Sequence, residues 1–184
     1  KGGDSGLYLR GSPQVQIWDT EHEPYFKLGA DKGSAGLWNN QKNARMPIAK
    51  ADKKVGEWNR FWIRMVGDKV TIKLNDVLVV DDTVLENYWE RDKPLYPRGS
   101  IELQNHGNTL YFKNIYVKEL TDTPAPEVKA PGEGFTSLFN GKDLTGWIGN
   151  QQGYAVDNAS IVCVPGGKGG GGNLYTEKEY KDFH

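Results

Sequence analysis

The chain has a single cysteine, no apolar run long enough to cross a bilayer, and no excess of either charge. Cys163, alone among 184 residues, excludes an internal disulfide and a zinc site built from several cysteines. The 23 basic and 24 acidic residues are spread along the chain and give a formal net charge of -1, which argues against nucleic acid or an anionic membrane as a partner. The first residues, KGGDSG, do not form a signal peptide, so any export signal is expected outside these residues.

Helical periodicity is also missing, and strand patterns take its place. Residues 6–10 and 14–19 alternate apolar and polar side chains around a Gly-Ser-Pro turn, which predicts a β-hairpin. Residues 57–81 predict a three-stranded meander with two tight turns. Residues 99–120 predict two strands around a His-Gly-Asn turn. Length and pattern together indicate one all-β domain around a sizeable core.

Two segments differ from this pattern in composition. Residues 121–133, TDTPAPEVKAPGE, are rich in proline and lack periodic apolar positions, as expected of an extended linker. The glycine run at 166–172 lacks the Lys-Ser/Thr ending of a phosphate-binding loop, so we interpret it as a mobile hairpin loop. Cys163 lies in the apolar stretch SIVCV, where we expect a buried, unreactive thiol.

Alternation places a set of polar and aromatic side chains opposite the core positions, on what is predicted to be one concave surface. The set comprises Tyr8, Arg10, Gln16, Trp18, Gln104 and His106, with Trp38, Asn39, Tyr88 and Trp89 as candidates for the rim. Aromatic rings stack on the apolar faces of sugars, while amide and guanidinium groups donate hydrogen bonds to hydroxyls. The sequence therefore predicts a carbohydrate ligand. Ordinary packing is the alternative role for each aromatic side chain.

Several motifs together resemble the 3-keto-disaccharide hydrolase domain family. They are NGKDLTGW at 140–147, GGNLYTEKEYKDF at 171–183, GDSGLYLRG at 3–11, QVQIWD, VGEWNRFWIRMVGDKVTIKLNDVLVVDD and SIELQNHGNTLYFKNIYVKEL. The resemblance implies a two-sheet, concanavalin-like jelly-roll sandwich. It also implies a bacterial protein that is secreted or periplasmic, because the family occurs mostly in exported bacterial proteins.

The order of these motifs departs from the family. Residues 1–120 correspond to the C-terminal portion of the family domain and residues 134–184 to its N-terminal portion, with 121–133 as the connection. The chain is then either a circularly permuted domain or a window across tandem copies. Neither portion alone closes a sandwich, so we expect the two to complete one, within the chain or by exchange with a second copy.

The resemblance also implies a reaction on 3-keto-glycosides. A ketone at carbon 3 acidifies the proton on carbon 2, so a base can remove it and the enolate can expel the aglycone from carbon 1; addition of water gives net hydrolysis. Such a site requires a base that titrates near neutral pH, as histidine does, and donors for the enolate oxygen. We predict His106 as the base and Arg10 and Gln104 as the donors. Gln14 stands where the family motif EVQI has glutamate, so an acid is absent there.

A non-catalytic carbohydrate-binding or cell-surface structural module is the alternative function, because related sandwiches also serve as lectin-like domains. A second acid in the concave row would favour an enzyme, and Glu102 and Asp19 are the candidates. No cofactor or catalytic metal is predicted. A structural calcium ion remains open, with Asp4, Asp19, Glu21 and Asp31 as possible ligands.

Overall fold

The computed structural model describes residues 2–120, 134–165 and 172–184, so the predicted linker and nearly all of the glycine run lie outside the described residues. The described chain is built from short β-strands and three 3-10 helices, at Glu23–Leu28, Ala30–Lys32 and Gln151–Gly153. None of the helices in these ranges is long and apolar enough to cross a membrane. The strands are β1 (Asp4–Leu9), β2 (Ser12–Trp18), β3 (Phe61–Val66), β4 (Lys69–Leu74), β5 (Val77–Val84), β6 (Glu102–Leu103), β7 (Tyr111–Phe112), β8 (Tyr116–Val117), β9 (Thr136–Ser137), β10 (Trp147–Gly149), β11 (Tyr154–Asp157), β12 (Ser160–Cys163) and β13 (Leu174–Thr176).

The strands form an all-β sandwich of antiparallel sheets, as the sequence predicted. The largest sheet has five strands in the order β10-β13-β6-β1-β2, and β3-β4-β5 form a separate meander. Two smaller sheets have the orders β11-β12-β7 and β8-β9. The neighbours β13 and β6, β12 and β7, and β9 and β8 each join a strand from 134–184 to a strand from the first 120 residues. Three of the sheets therefore contain strands from both sequence portions, which meet at one strand pair in each sheet.

The first hairpin and the meander form as predicted. In the hairpin, Leu9 pairs with Ser12 across a two-residue turn in which Arg10 and Gly11 both have positive φ, 51° and 71°. Two positive φ values match the twist of a tight hairpin, and glycine adopts this conformation without strain. The turn thus falls one residue earlier than the Gly-Ser-Pro sequence suggested.

The hairpin predicted within residues 99–120 is wrong. This segment contributes β6, β7 and β8 to three different sheets. Phe112 of β7 pairs with Ile161 of β12, and the N–H of Cys163 donates to the carbonyl of Leu110 at 2.8 Å. Asn114 has a φ of 54° and interrupts the second predicted strand. Strands from beyond the linker are the actual partners, so the His-Gly-Asn turn does not close a local ladder.

The core consists of two apolar clusters that share Leu7 and Leu138 at their boundary. One cluster lies on the meander and the other under the strands that follow the linker. Their most completely buried members are Met65, Ile72 and Leu74 in the first and Trp147, Ile161 and Leu174 in the second. Cys163 belongs to the second cluster and is buried as expected, and burial raises the pKa of its thiol to about 12.

Candidate functional site

A cleft of about 310 Å³ opens over one face of β1, β2 and β6. Its lining contains every predicted site residue except Arg10. The described lining residues are Asp4, Tyr8, Pro13, Gln14, Gln16, Trp18, Leu28, Trp38, Asn39, Tyr88, Trp89, Gln104 and His106. Strand alternation explains this grouping, because side chains two residues apart share a face and the antiparallel register places Asp4 opposite Trp18.

A chain of side-chain hydrogen bonds crosses the floor of the cleft. The amide of Gln14 donates to the side-chain oxygen of Gln16, whose own amide donates to Asp4 Oδ1 at 2.7 Å. Asn39 extends the chain with a long contact of 3.5 Å to Gln14 Oε1. Gly6 leaves room for the Gln14 side chain, since a Cβ at position 6 would stand 3.1 Å from Gln14 Cδ. The network fixes the direction in which the Asp4 carboxylate points.

Asp4 in turn orients His106. The Nδ1 atom of His106 lies 3.3 Å from Asp4 Oδ2, the carboxylate oxygen that Gln16 does not use. A carboxylate can only accept, so it holds the imidazole proton on Nδ1 and leaves the lone pair on Nε2. The turn carrying His106 is fixed by Asn105, which accepts from the N–H of Gly107 at 3.0 Å. The His106 side chain is 58% exposed, so its free nitrogen is accessible to a ligand.

Two pairs of aromatic rings border the cleft. The rings of Trp18 and Trp38 meet edge to face with centroids 5.3 Å apart, and those of Tyr88 and Trp89 do so at 4.8 Å. The indole N–H of Trp89 donates to the carbonyl of Gly11 at 2.8 Å, which ties this ring to the first hairpin. A perpendicular pair leaves ring faces open for stacking, except where a cation covers one, as Arg45 does at 3.8 Å from the ring centre of Trp38.

Glu86 and Arg91 connect the two loops that carry these aromatic pairs. The Glu86 carboxylate accepts the backbone N–H groups of residues 41–43, at 2.7 to 2.9 Å. Burial alone would raise the pKa of Glu86, but the combined effect of these hydrogen-bond donors is larger and opposite, so the pKa lies below its usual value. Arg91 donates to the carbonyl of Asn39 at 2.8 Å and lies 4.8 Å from the ring centre of Tyr88. The two walls are therefore fastened to each other.

Arg10 is not part of the cleft. Only 3% of it is exposed, and its guanidinium forms an ion pair with Asp182 at 2.8 Å and a long contact of 3.4 Å to the carbonyl of Tyr96. The reason is local. Arg10 begins the turn that closes the hairpin, so the alternation that sets the direction of residues 4–9 no longer applies to it. Its contacts are structural, and we propose no role for it in the reaction.

Asp4 and Gln14 are the site residues that sequence reasoning did not assign to the cleft. Asp4 was considered only as a calcium ligand, although its spacing from Tyr8 places both on one face of β1. The other calcium candidates lie elsewhere: Asp19 accepts the N–H groups of Gly2 and Glu21, and Asp31 pairs with Lys32 at 3.0 Å. Within the described ranges, no group of three or more residues of metal-binding type comes together.

Comparison with known proteins gives one family and one curated relative. The family described as the 3-keto-alpha-glucoside-1,2-lyase-like domain matches residues 1–118 and 134–184. A 3-keto-disaccharide hydrolase of Bacteroides thetaiotaomicron is 27% identical over 135 residues, which cover 59% of this chain and 44% of that protein. The chain therefore spans less than half the length of this relative. No solved structure matches the chain.

Proposed function

Because the chain belongs to the family of 3-keto-alpha-glucoside-1,2-lyase-like domains, we propose that it acts on carbohydrates and cleaves 3-keto-glycosides in the cleft. The observation that carries this proposal is the contact of 3.3 Å between His106 and Asp4 at the edge of an aromatic-lined cleft. It supplies an oriented base beside surfaces suited to a sugar ring.

The proposed reaction is an elimination followed by addition of water. Nε2 of His106 takes the proton from carbon 2 of the sugar, and the electron pair of that C–H bond forms a C2=C3 double bond, which leaves an enolate oxygen on carbon 3. The enolate then restores the ketone, forms a C1=C2 double bond and breaks the bond from carbon 1 to the aglycone oxygen. This oxygen takes up the proton that His106 removed, so the aglycone leaves as an alcohol and the base is regenerated. Addition of water across C1=C2 completes net hydrolysis.

The charge of the cleft agrees with a neutral sugar and with this route. No lysine or arginine is among the described residues that line it, and Asp4 is the carboxylate among them. Ordinary glycosidases use two carboxyl groups that flank the scissile bond. Asp4 is already engaged by Gln16 and His106, so the described lining offers no such pair, and we expect glucosides without the ketone to remain intact.

The test compares release of a chromogenic aglycone from a 3-keto-α-glucoside and from the corresponding unmodified glucoside. We expect turnover of the keto substrate alone. His106→Ala should slow it by about 100-fold to 10,000-fold, as losses of general bases do. Its free energy of unfolding should change by less than about 1 kcal/mol, because this exposed side chain buries little surface. His22→Ala is the matched control, since His22 packs on Tyr25 outside the cleft lining.

Two results would contradict the proposal. Full activity of His106→Ala would mean that another group removes the proton. A wild-type chain that releases nothing from the keto substrate but binds plain oligosaccharides would be a carbohydrate-binding module. In that case, replacement of Trp18 or Trp38 would weaken binding, and replacement of His106 would not.

A further inference from the structure

Besides His106 and Asp4, the cleft contains a second polar group, the hydroxyl of Tyr8, which lies among amide and carboxylate side chains. The amide nitrogen of Gln104 donates to the Tyr8 hydroxyl oxygen at 3.2 Å. The Asn173 side chain lies near enough to this phenol to lower its pKa, and its amide nitrogen donates to Glu102 Oε2 at 2.8 Å. Glu102 is the residue directly opposite Tyr8 in the pairing of β6 with β1. The phenol oxygen therefore accepts a hydrogen bond from the Gln104 amide.

This arrangement determines where the phenol proton can go. A hydroxyl has one proton to give, and an amide N–H cannot accept it. Burial raises the pKa of Tyr8 and the charge of Glu102 raises it further, against the opposite effect of the two amides. Tyr8 therefore keeps its proton at neutral pH, and the proton is available to a ligand in the cleft.

The proposed reaction lacks a donor at one point, the oxygen on carbon 3. Arg10, predicted for that role, is buried on Asp182. Gln104, the other predicted donor, uses its nitrogen on Tyr8, and its oxygen is buried without a hydrogen-bond partner among the described residues. Tyr8 lines the cleft beside Gln104, accepts from its amide, and so has its own proton to offer at this position.

We propose that the Tyr8 hydroxyl donates the hydrogen bond that stabilises the enolate oxygen, and that Gln104 is a positioning residue that directs this proton into the cleft. The inference rests on the proposed function. As His106 removes the proton from carbon 2, negative charge moves onto the oxygen of carbon 3, and the Tyr8 O–H···O bond strengthens without transfer of the proton. The bond relaxes again when the ketone is restored and the aglycone leaves.

The first test is Tyr8→Phe, which removes the hydroxyl and keeps the ring. We expect kcat for the 3-keto-α-glucoside to fall by about 100-fold to 1,000-fold, the usual loss for one donor to a developing oxyanion. KM should stay unchanged, because the interaction is strongest in the transition state. Tyr111→Phe is the control: Tyr111 is 49% exposed on β7, outside the cleft lining.

The second test is Gln104→Glu, which keeps the size of the side chain but replaces the amide donor with an acceptor. A carboxylate at this position takes the phenol proton away from the substrate. We expect Gln104→Glu to lose about as much kcat as Tyr8→Phe, and the double variant to lose no more than either alone, because both changes remove the same interaction. Thermal melting of each variant checks that it is folded.

Each outcome separates this inference from the proposed function. If the wild-type chain cleaves the keto substrate and Tyr8→Phe matches it, the role of Tyr8 is refuted and the proposed function stands. The same conclusion follows if Tyr8→Phe raises KM at unchanged kcat, or if the losses of Tyr8→Phe and Gln104→Glu multiply. If the wild-type chain does not cleave the keto substrate, both proposals fail.

Discussion

Replacement of Asp4 by asparagine tests whether the Asp4 carboxylate sets the tautomer of His106, the proposed base. Asp4 accepts from Gln16 with one oxygen, at 2.7 Å, and contacts His106 Nδ1 with the other, at 3.3 Å. In Asp4→Asn, the single remaining oxygen must face Gln16, since the Gln16 amide nitrogen is a donor. The new NH2 group then faces Nδ1, which has to accept from it. The imidazole proton moves to Nε2, and the lone pair to which the proposed reaction assigns removal of the substrate proton is lost.

The size of the effect follows from the exposure of the two groups. A hydrogen bond to a charged group stabilises by about 1.5 to 3 kcal/mol. Because 58% of the His106 side chain is exposed and water competes for it, we expect a smaller value that extends below that range, about 1 to 2 kcal/mol. At 1.36 kcal/mol for each factor of ten, kcat/KM should fall about 5-fold to 30-fold.

The assay is kcat/KM for the 3-keto-α-glucoside between pH 5 and pH 9, a range of about two units on either side of neutrality that brackets the titration of an ordinary histidine. Asp92→Asn is the control, because Asp92 is exposed and outside the cleft lining. The melting temperature of Asp4→Asn should stay close to that of the control. Wild-type activity of Asp4→Asn at every pH would show that the carboxylate does not set the state of His106.

Three further predictions concern stability. Arg10→Ala should lower the free energy of unfolding, measured in urea, by about 3 to 5 kcal/mol, because it leaves Asp182 without its buried partner. The folded variant should keep the turnover of the wild type. A loss of turnover at unchanged stability would mean that Arg10 takes part in the reaction. Because the pKa of Glu86 is lowered in the folded state, its ionised carboxylate stabilises the fold at neutral pH, and this stabilisation is lost as pH falls through the folded-state pKa. Glu86→Gln should therefore flatten the acid side of the profile of unfolding free energy against pH and cost about 1 to 3 kcal/mol at pH 7. Identical profiles of variant and wild type would contradict this. Proteolytic cleavage within 121–133 should leave the fold intact at neutral pH, because β6–β13, β7–β12 and β8–β9 hold the two portions together, and immediate unfolding would refute that account.

The sequence predicted those parts of the fold whose partners are close along the chain. The first hairpin and the meander have strands joined by tight turns, so the alternation of apolar residues and the turn residues contain all the information needed. The same alternation brought Tyr8, Gln16 and Trp18 to one face and so located the cleft.

The errors arose where local pattern does not decide the structure. Arg10 follows the strand alternation in sequence, but it stands in a turn, where the direction of the side chain depends on φ. The sequence of residues 99–120 contains two segments with a strand pattern. In the structure, Leu103 pairs with Leu7 and Leu174, and Phe112 pairs with Ile161. Strand propensity cannot identify such distant partners, because any strand edge of suitable pattern satisfies it.

Because three sheets contain strands from both portions of the chain, the order of synthesis affects how the protein folds. Met65 receives its bridge from Phe183, Arg10 its ion pair from Asp182, and β6 one of its two neighbours from β13. These partners leave the ribosome after the residues with which they pair. The meander has its contacts close in sequence and is expected to form early. Until β13 is available, one edge of β6 remains unpaired. An unpaired edge is a template for association with other chains, so we expect β6 to be exposed to aggregation in the interval before residues 174–183 emerge.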